Sequence, residues 1–296
     1  MMIHGTHNAD VDDRNKDVLI YVNGELFPRD AAKISVFDSG YLVGDGVWEA
    51  MRLYDGKLAF LDLHLNRLWD GAKAVGMDLG FDRTWLVAQI EMVLEANQMK
   101  TGVHLRVMVT RGIKKTPSQD PRLTLTGPNL VIIAEYKTAS EDTRNKGITL
   151  FTSTVRRGSP DTLDPRLNCH SKLHEVQALV QAIEAGADEA LMLDVRGFVS
   201  TCNSTNFFIV KDGEVWTSTG AYCMNGITRH NVIRICKENG IVCKQKDFSL
   251  YDVYAADEAF VTGSFGGLTP VNFVDGRKIE GRDLINTLTR LYQKLR

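Results

Sequence analysis

The sequence predicts an α+β protein made of two domains. Short apolar runs that end in turn residues indicate strands, and they are mixed with longer segments whose apolar residues recur at helical spacing. A charged and polar stretch from 138 to 147 has no apolar periodicity and separates two such mixtures. The length of 296 residues suits one large domain or two smaller ones, with ample chain for a packed core.

The first half is predicted to be a small α+β domain, residues 18–137, behind a flexible N-terminal tail of residues 1–17. The tail is polar, and its first residues have no organised pattern. The domain opens with an apolar run at 18–22, which is followed by the turn signal Asn23-Gly24. Further strands are predicted at 47–53, 104–111 and 130–136, and helices at 63–75 and 83–97.

The second half is predicted to be a larger domain, residues 148–296, which the interdomain linker at 138–147 joins to the first. Its helical segments have one apolar side, as helices that pack on a sheet do. Strands are predicted at 148–151, 189–194, 207–211, 214–217 and 258–262, and helices at 171–185 and 228–238.

Composition and charge exclude several classes of protein. A net charge of −2 argues against nucleic acid or an anionic membrane as the main partner. No apolar run approaches the length of a membrane span, and residues 1–16 lack the apolar core of a signal peptide. The 5 cysteines form no CxxC pair, which favours free thiols in a reducing cytoplasm over disulfides or a metal site. These features favour a cytoplasmic protein.

Four sequence segments occur in a fixed order along the chain. They are 36–49 (VFDSGYLVGDGVWE), 64–68 (HLNRL), 225–229 (NGITR), and 261–264 (VTGS) with 268–271 (LTPV). One such motif is a weak signal, but four in this order are specific. Together they resemble the class IV aminotransferases, which include branched-chain and D-amino-acid aminotransferases, R-selective amine transaminases and aminodeoxychorismate lyase. The resemblance covers residues 21–276.

The resemblance implies the two-domain fold of the D-amino-acid aminotransferase-like enzymes, with pyridoxal 5′-phosphate (PLP) as cofactor. It also implies a homodimer in which 148–296 is the large cofactor-binding domain. The phosphate-binding residues that it implies are Arg67, Ile227, Thr228 and Ser264. These residue types fit, because a phosphate dianion is bound by a guanidinium, by hydroxyl donors and by N–H groups at the start of a helix.

Asn168 occupies the position at which the resemblance implies a Schiff-base lysine. Matching the segment 186–191 to the family without gaps puts the family's lysine at 168, whereas this chain has a lysine at Lys172. If this segment is helical, the two residues share one helix face about 6 Å apart, and the Lys172 side chain leans back toward position 168. We therefore expect Lys172 to be the catalytic residue, which forms the Schiff base and moves the proton during amino transfer.

A second departure concerns the nitrogen of the cofactor's pyridine ring. Relatives usually have a glutamate where Thr201 stands, and that glutamate holds a proton on the nitrogen and strengthens the electron sink. Thr201 can only hydrogen-bond the nitrogen, which weakens the sink. Asn206 matches the family's asparagine, and we expect Thr201 and Asn206 to bind the cofactor.

The residues and the resemblance predict a PLP-dependent aminotransferase that moves an amino group between an amino acid or amine and a 2-keto acid. Two alternatives stay open: a PLP-dependent lyase of the aminodeoxychorismate lyase type, and a PLP- or ligand-binding homologue that has lost catalysis. Arg166 and His170 are further candidates for substrate contact or proton transfer. The loop at 111–116 lacks the Arg-x-His trap of D-specific relatives, and the sequence does not indicate the donor, the acceptor or the enantiomer.

Overall fold

The chain forms two compact units, each built around one sheet. The structure, a computed structural model, describes residues 5–7, 9, 11–139 and 141–295. Residues 1–4, 8 and 10 of the predicted N-terminal tail therefore lie outside the described residues. The six-strand unit comprises Val11–Thr138 and Asn168–Lys172, and the nine-strand unit comprises the described part of Met1–Asp10 with Ala139–Leu167 and Leu173–Arg296.

The six-strand unit combines an antiparallel sheet with two long helices. Its strands are β1 (Leu19–Val22), β2 (Glu25–Pro28), β3 (Gly46–Tyr54), β4 (Lys57–Leu58), β5 (Val103–Thr110) and β6 (Asn129–Tyr136). Its helices are α1 (Ser39–Val43), α2 (Leu61–Ala74) and α3 (Arg83–Ala96), with 3₁₀ turns at Asp13–Lys16, Arg29–Ala31 and Pro121–Leu123. The strand order is β2-β1-β6-β5-β3-β4, and every pairing is antiparallel.

The core of this unit lies between the sheet and the helices α2 and α3. Val47 and Met51 of β3 are fully buried there, beside Leu68 of α2 and Ile90 of α3. Because side chains alternate along a strand, Glu49 points to the same face as Val47 and Met51. The fold thus places a carboxyl group on the apolar side of β3.

The nine-strand unit has a mixed sheet. Its strands are β7 (Ile148–Thr152), β8 (Glu189–Leu193), β9 (Val199–Cys202), β10 (Asn206–Lys211), β11 (Glu214–Thr217), β12 (Cys243–Gln245), β13 (Glu258–Gly263), β14 (Gly267–Val274) and β15 (Arg277–Lys278). Its helices are α4 (Glu141–Lys146), α5 (Leu173–Glu184), α6 (Ile227–Glu238), α7 (Leu250–Tyr254) and α8 (Asp283–Gln293). The strand order is β12-β11-β10-β13-β14-β7-β8-β9, and β15 pairs with β14.

The helices of this unit pack on the sheet through small and apolar side chains. Ala178 and Ala182 of α5 contact Ala190 and Met192 of β8 in one buried cluster. Such short side chains let the helix approach the strand closely. Among the helices of the described residues, none combines the length and the apolar character that a membrane span requires.

The segment 168–172 is not helical. The sequence predicts a helix from 171, with 168 and 172 one turn apart, but α5 begins at Leu173. The Trp48 N–H donates to the Asn168 carbonyl at 3.0 Å, and the His170 N–H donates to the Gly46 carbonyl at 3.0 Å. These bonds to β3 use the backbone groups that a helical turn would need. The prediction that residues 168 and 172 share a helix face is therefore wrong.

Candidate functional site

A buried carboxylate organises the candidate site of the six-strand unit. Arg67 donates from Nε to Glu49 Oε1 at 2.6 Å and from one terminal nitrogen to Glu49 Oε2 at 2.8 Å. His64 Nδ1 lies 2.6 Å from Glu49 Oε2. His64 and Arg67 are three residues apart on α2, so both reach the same side of the helix and meet the core face of β3. The helix thereby holds the predicted phosphate arginine in a two-point ion pair.

The partners of Glu49 decide its charge. Burial raises the pKa of the Glu49 carboxyl, but the Arg67 charge and the hydrogen bonds from Arg67 and His64 outweigh burial and hold this pKa below its usual range. Glu49 is therefore ionised at neutral pH.

Asn168 lies beside this ion pair. Its Nδ2 donates to the Trp48 carbonyl at 2.6 Å and lies 3.5 Å from Glu49 Oε1. Its Oδ1 is buried and has no hydrogen-bond partner among the described residues. A buried acceptor without a donor is costly, and such atoms often mark a ligand or water position. The side chain at the family's lysine position is thus fixed by β3 and has one unsatisfied oxygen.

His170 and Lys172 are the remaining candidate residues of the six-strand unit. A Cβ at Gly40 or Gly46 would lie 3.0 Å from the ring of His170, so the ring packs closely against two glycines. Burial lowers the pKa of His170, the Asp38 carboxylate opposes that change, and the Lys172 charge adds to it. His170 is therefore uncharged at neutral pH. Lys172 is partly buried and precedes α5, so its predicted catalytic role loses its helical argument and stays a prediction.

The start of α6 forms the candidate site of the nine-strand unit. Gly226 is the N-cap and provides no side-chain hydrogen bond, so helix geometry leaves the first N–H groups, including those of Ile227 and Thr228, without intrahelical acceptors. The Gly226 N–H donates to Asn206 Oδ1 at 3.2 Å, and a Cβ at Gly226 would overlap that oxygen. The Thr228 hydroxyl lies 3.2 Å from the Tyr292 hydroxyl.

Ser264 belongs to the candidate site of the nine-strand unit. It lies in the turn that follows β13, two residues beyond Thr262, which is the register partner of Asn206 on β10. The Thr262 hydroxyl is buried and has no hydrogen-bond partner among the described residues. The structure therefore brings Asn206, the start of α6 and the turn that holds Ser264 into one region rich in neutral donors.

Thr201 is part of this network through its hydroxyl. Its Oγ1 donates to the Thr205 carbonyl at 2.7 Å and accepts from Asn206 Nδ2 at 3.3 Å. Asn206 Nδ2 also donates to the Met224 carbonyl at 2.9 Å. Since a hydroxyl has one proton, Thr201 in this geometry can act toward a further group as an acceptor.

Two buried carboxylates escape prediction from the sequence. Glu49 ends one of the four motifs without a predicted role, and Glu189 has none either. Glu189 is the first residue of β8, a strand whose five residues are all buried. A charged residue inside a buried strand is the signal that could have identified it.

Comparison with known proteins decides the family. Residues 46–274 match the family model described as amino-transferase class IV. The chain belongs to the class IV aminotransferases. Branched-chain-amino-acid aminotransferase-like protein 2 of Arabidopsis thaliana is 38% identical over 279 residues, which are 94% of this chain and 50% of that protein. The chain thus spans about half the length of that relative.

Two further comparisons cover nearly the whole of both proteins. A putative branched-chain-amino-acid aminotransferase of Methanocaldococcus jannaschii is 36% identical over 280 residues, 94% of this chain and 95% of that one. The crystal structure of the T.th. branched-chain amino acid aminotransferase, complexed with N-(5′-phosphopyridoxyl)-L-glutamate, superposes with a TM-score of 0.85. It is 28% identical and the match covers 94% of each chain. The predicted fold class, the two-domain α+β fold of this family, is confirmed.

Class IV aminotransferases are PLP enzymes. Some residues of this chain fit the binding of PLP, whereas one position does not. The helix start at Ile227 and Thr228, with the hydroxyl of Ser264, has the donors that a phosphate monoester requires. At position 168, in contrast, an amide replaces the expected amine. The described residues contain no cluster of three side chains that could hold a metal ion.

Proposed function

We propose that this chain is a PLP-dependent aminotransferase that moves an amino group between an amino acid or amine and a 2-keto acid. When bound, PLP supplies the electron sink and the carbon that carries the amino group. The observation that carries the proposal is the set of donors at the start of α6, where Gly226 leaves N–H groups without acceptors beside the Thr228 hydroxyl. Family membership and the names of the relatives support it.

The cofactor residues that we propose have separate tasks. The Ile227 and Thr228 N–H groups and the hydroxyls of Thr228 and Ser264 bind the phosphate. We propose Arg67 as a further phosphate ligand on the family resemblance alone. Its ion pair with Glu49 fixes the orientation of its guanidinium.

At the ring end, we propose that the Thr201 hydroxyl accepts a hydrogen bond from the ring nitrogen. Asn206 holds Thr201 and the backbone of Gly226 in place, because its amide group bonds to both. Asn206 therefore couples the two ends of the cofactor site.

Lys172 is the residue that we propose as the catalytic amine. It lies four residues beyond Asn168 in a segment that is not helical, and a lysine side chain is long enough to cover several ångströms. The neighbouring His170 is uncharged, so it does not add a second positive charge beside the Lys172 amine.

Amino transfer with purified protein tests the proposal. The protein is incubated with PLP, L-leucine or D-alanine as donor, and 2-ketoglutarate or pyruvate as acceptor, and the new amino acid is measured by chromatography. We expect product that depends on both PLP and the acceptor, and little product from Thr228→Val. Release of pyruvate from an amino acid without any acceptor would instead identify a lyase, and PLP binding without either product would identify a homologue without catalysis.

The homologue without catalysis is favoured by one specific observation. Asn168 stands where the family has its lysine, and its Nδ2 is held by the Trp48 carbonyl at 2.6 Å. A substitution of Asn168 by lysine separates the two functions. If Asn168→Lys gains more than about tenfold in activity, Lys172 is not an adequate amine and the parent chain is the non-catalytic homologue.

We also propose that the protein is a homodimer. Leu173, Val176, Val180 and Ile183 are exposed on α5 at spacings of three, four and three residues. That is the spacing with which a helix packs against a second helix. Light scattering should give twice the chain mass for the parent and a lower mass for Val180→Glu.

The proposed location is the cytoplasm. All 5 cysteines are free, and Cys169, Cys202, Cys223 and Cys236 are buried. Free buried thiols suit a reducing compartment. Cell fractionation, with activity measured in each fraction, checks this.

A further inference from the structure

Residues 5–7, here called the N-terminal clasp, contact the nine-strand unit at a carboxylate. The Thr6 N–H donates to Glu189 Oε1 at 3.0 Å, and the Thr6 hydroxyl donates to the same oxygen. Thr6 and Glu189 are 183 positions apart in the sequence, and both are buried. The clasp is therefore held by a specific polar contact.

Glu189 connects the clasp to the turn between β9 and β10. The Thr205 hydroxyl donates to Glu189 Oε2 at 2.8 Å. The Thr205 carbonyl in turn accepts from the Thr201 hydroxyl at 2.7 Å and from the Cys202 N–H at 2.9 Å. One carboxylate thus fixes the residue whose carbonyl orients Thr201.

The clasp also contacts the turn between β13 and β14. The ring of His7 stacks on Phe265 with centroids 6.1 Å apart and planes inclined at 25°. A Cβ added to Gly266 would lie 3.4 Å from the Thr6 carbonyl oxygen, so the backbones are in close contact. Phe265 and Gly266 directly follow Ser264. The clasp therefore touches the turn that holds Ser264, and Glu189 links it to the turn between Thr201 and Asn206.

The hydrogen bonds from Thr6 stabilise the buried Glu189 carboxylate. Burial raises the pKa of the Glu189 carboxyl, and the hydrogen bonds from Thr6 and Thr205 offset part of that rise. Thr6 donates two hydrogen bonds to this carboxylate and Thr205 donates one, and each of these donors is neutral. Without Thr6 the buried Glu189 carboxyl keeps only the hydrogen bond from Thr205, and it is no longer held in its position.

We propose that Thr6 and Glu189 are positioning residues for the cofactor site of the nine-strand unit. Thr6 holds Glu189, Glu189 holds Thr205, and Thr205 orients the hydroxyl of Thr201. The ordering of the two turns follows from the contacts alone, whereas its consequence for the cofactor rests on the proposed function.

Hydrogen exchange of the protein without PLP, followed by mass spectrometry, tests the ordering. Thr6→Val removes the hydroxyl and keeps the side-chain shape, Thr6→Ser keeps the hydroxyl, and Thr84→Val makes the same change on an exposed residue of α3. We expect exchange in 199–206 to rise about tenfold in Thr6→Val, the effect of losing a hydrogen bond to a charged group. Thr6→Ser and Thr84→Val should match the parent. Unchanged exchange in Thr6→Val overturns the proposal, as does an equal rise in Thr6→Ser.

His7→Ala keeps the test decisive if Thr6→Val does not fold. This change removes the ring that stacks on Phe265 and that contacts the hydroxyls of Ser204 and Thr6, and it keeps the Thr6 side chain that donates to Glu189. Exchange should rise in 263–267, and it should rise less in 199–206, where only the contact with Ser204 is lost. A rise in neither peptide would overturn the second contact.

A PLP titration separates this inference from the proposed function. If the parent binds no PLP, the proposed function fails while the exchange result stands. If the parent binds PLP, we expect Thr6→Val to bind it about tenfold more weakly and to shift the pH at which the ring absorption changes, with both restored in Thr6→Ser. Equal affinity and an unchanged pH profile in Thr6→Val would overturn the positioning role alone.

Discussion

Two buried glutamates, one in each unit, have partners of opposite kind. Glu49 and Glu189 are 0% and 2% exposed, so burial raises the pKa of both carboxyls. At Glu49, the charge of Arg67 outweighs burial and the pKa falls below its usual range. At Glu189, the donors are neutral hydroxyl and amide groups, and the pKa stays raised. The charge of the partner, and not the extent of burial, decides the sign.

The same contrast separates the candidate site residues of one unit from those of the other. In the six-strand unit, the guanidinium of Arg67 is already engaged by Glu49. In the nine-strand unit, the start of α6 has neutral N–H and hydroxyl donors. Under the proposed function, we therefore expect Thr228 to contribute to phosphate affinity, whereas the charge of Arg67 is already compensated by Glu49.

Glu49→Gln is expected to have the largest effect. It leaves the half-buried Arg67 and the buried His64 beside a neutral amide, and breaking a buried ion pair costs about 3–5 kcal/mol of unfolding free energy. Urea unfolding at neutral pH measures the loss, and Asp70→Asn on the exposed side of α2 is the control. A loss below about 1 kcal/mol, the value of a surface pair, would contradict the contrast.

The pH dependence of that loss has a fixed sign. Since folding lowers the pKa of Glu49, its contribution is complete above the ordinary glutamate pKa of about 4.3 and is lost as pH falls through the folded-state value. The difference in unfolding free energy between parent and Glu49→Gln should therefore shrink on acidification. A difference that stays constant down to about pH 3 would show that the carboxylate charge is not its source.

Thr228→Val is expected to weaken PLP binding by about tenfold to a hundredfold, because it removes a hydrogen bond to a charged group. The control is Tyr292→Phe, which removes the hydroxyl 3.2 Å from Thr228 Oγ1 and leaves the threonine in place. A PLP titration followed by absorbance measures both affinities. Equal weakening in the two variants would mean that the pair with Tyr292, and not the phosphate, uses the Thr228 hydroxyl.

Glu189→Gln is expected to have the smallest effect on the unfolding free energy. At high pH it should stabilise the protein, whereas Glu49→Gln destabilises it. Because folding raises the pKa of Glu189, the protonated carboxyl contributes fully below about pH 4.3, and that contribution is lost as pH rises through the folded-state pKa. The amide is neutral throughout, so the variant should be more stable than the parent at alkaline pH. Thermal unfolding across pH measures this, and a variant that is less stable at every pH would reverse the assignment.

Much of the fold could be predicted because its signals are local. The alternation of 47–53 predicts β3, which the structure extends to Gly46–Tyr54. The turn residues before 228 predict the start of α6, which begins one residue earlier, at Ile227. Period and turn chemistry determine such elements without reference to distant residues.

The errors arose where distant residues decide the conformation. Asn168 and His170 form backbone hydrogen bonds with β3, about 120 positions away, so no local pattern could show that this segment is not helical. The partner of Glu189 at Thr6 is 183 positions away, and a single buried glutamate gives no sign of it. The contact between Thr6 and Glu189 can therefore be found from a structure but not from the periodicity of the sequence.

Borohydride reduction followed by peptide mass spectrometry tests the central claim most directly. The parent protein is mixed with PLP and reduced, so that any lysine bonded to the cofactor carries a stable pyridoxyl group. The account predicts this group on Lys172, its loss in Lys172→Ala, and its retention in the control Lys73→Ala on the exposed side of α2. A pyridoxyl group on another lysine, or bound PLP that cannot be reduced onto the protein, would contradict it.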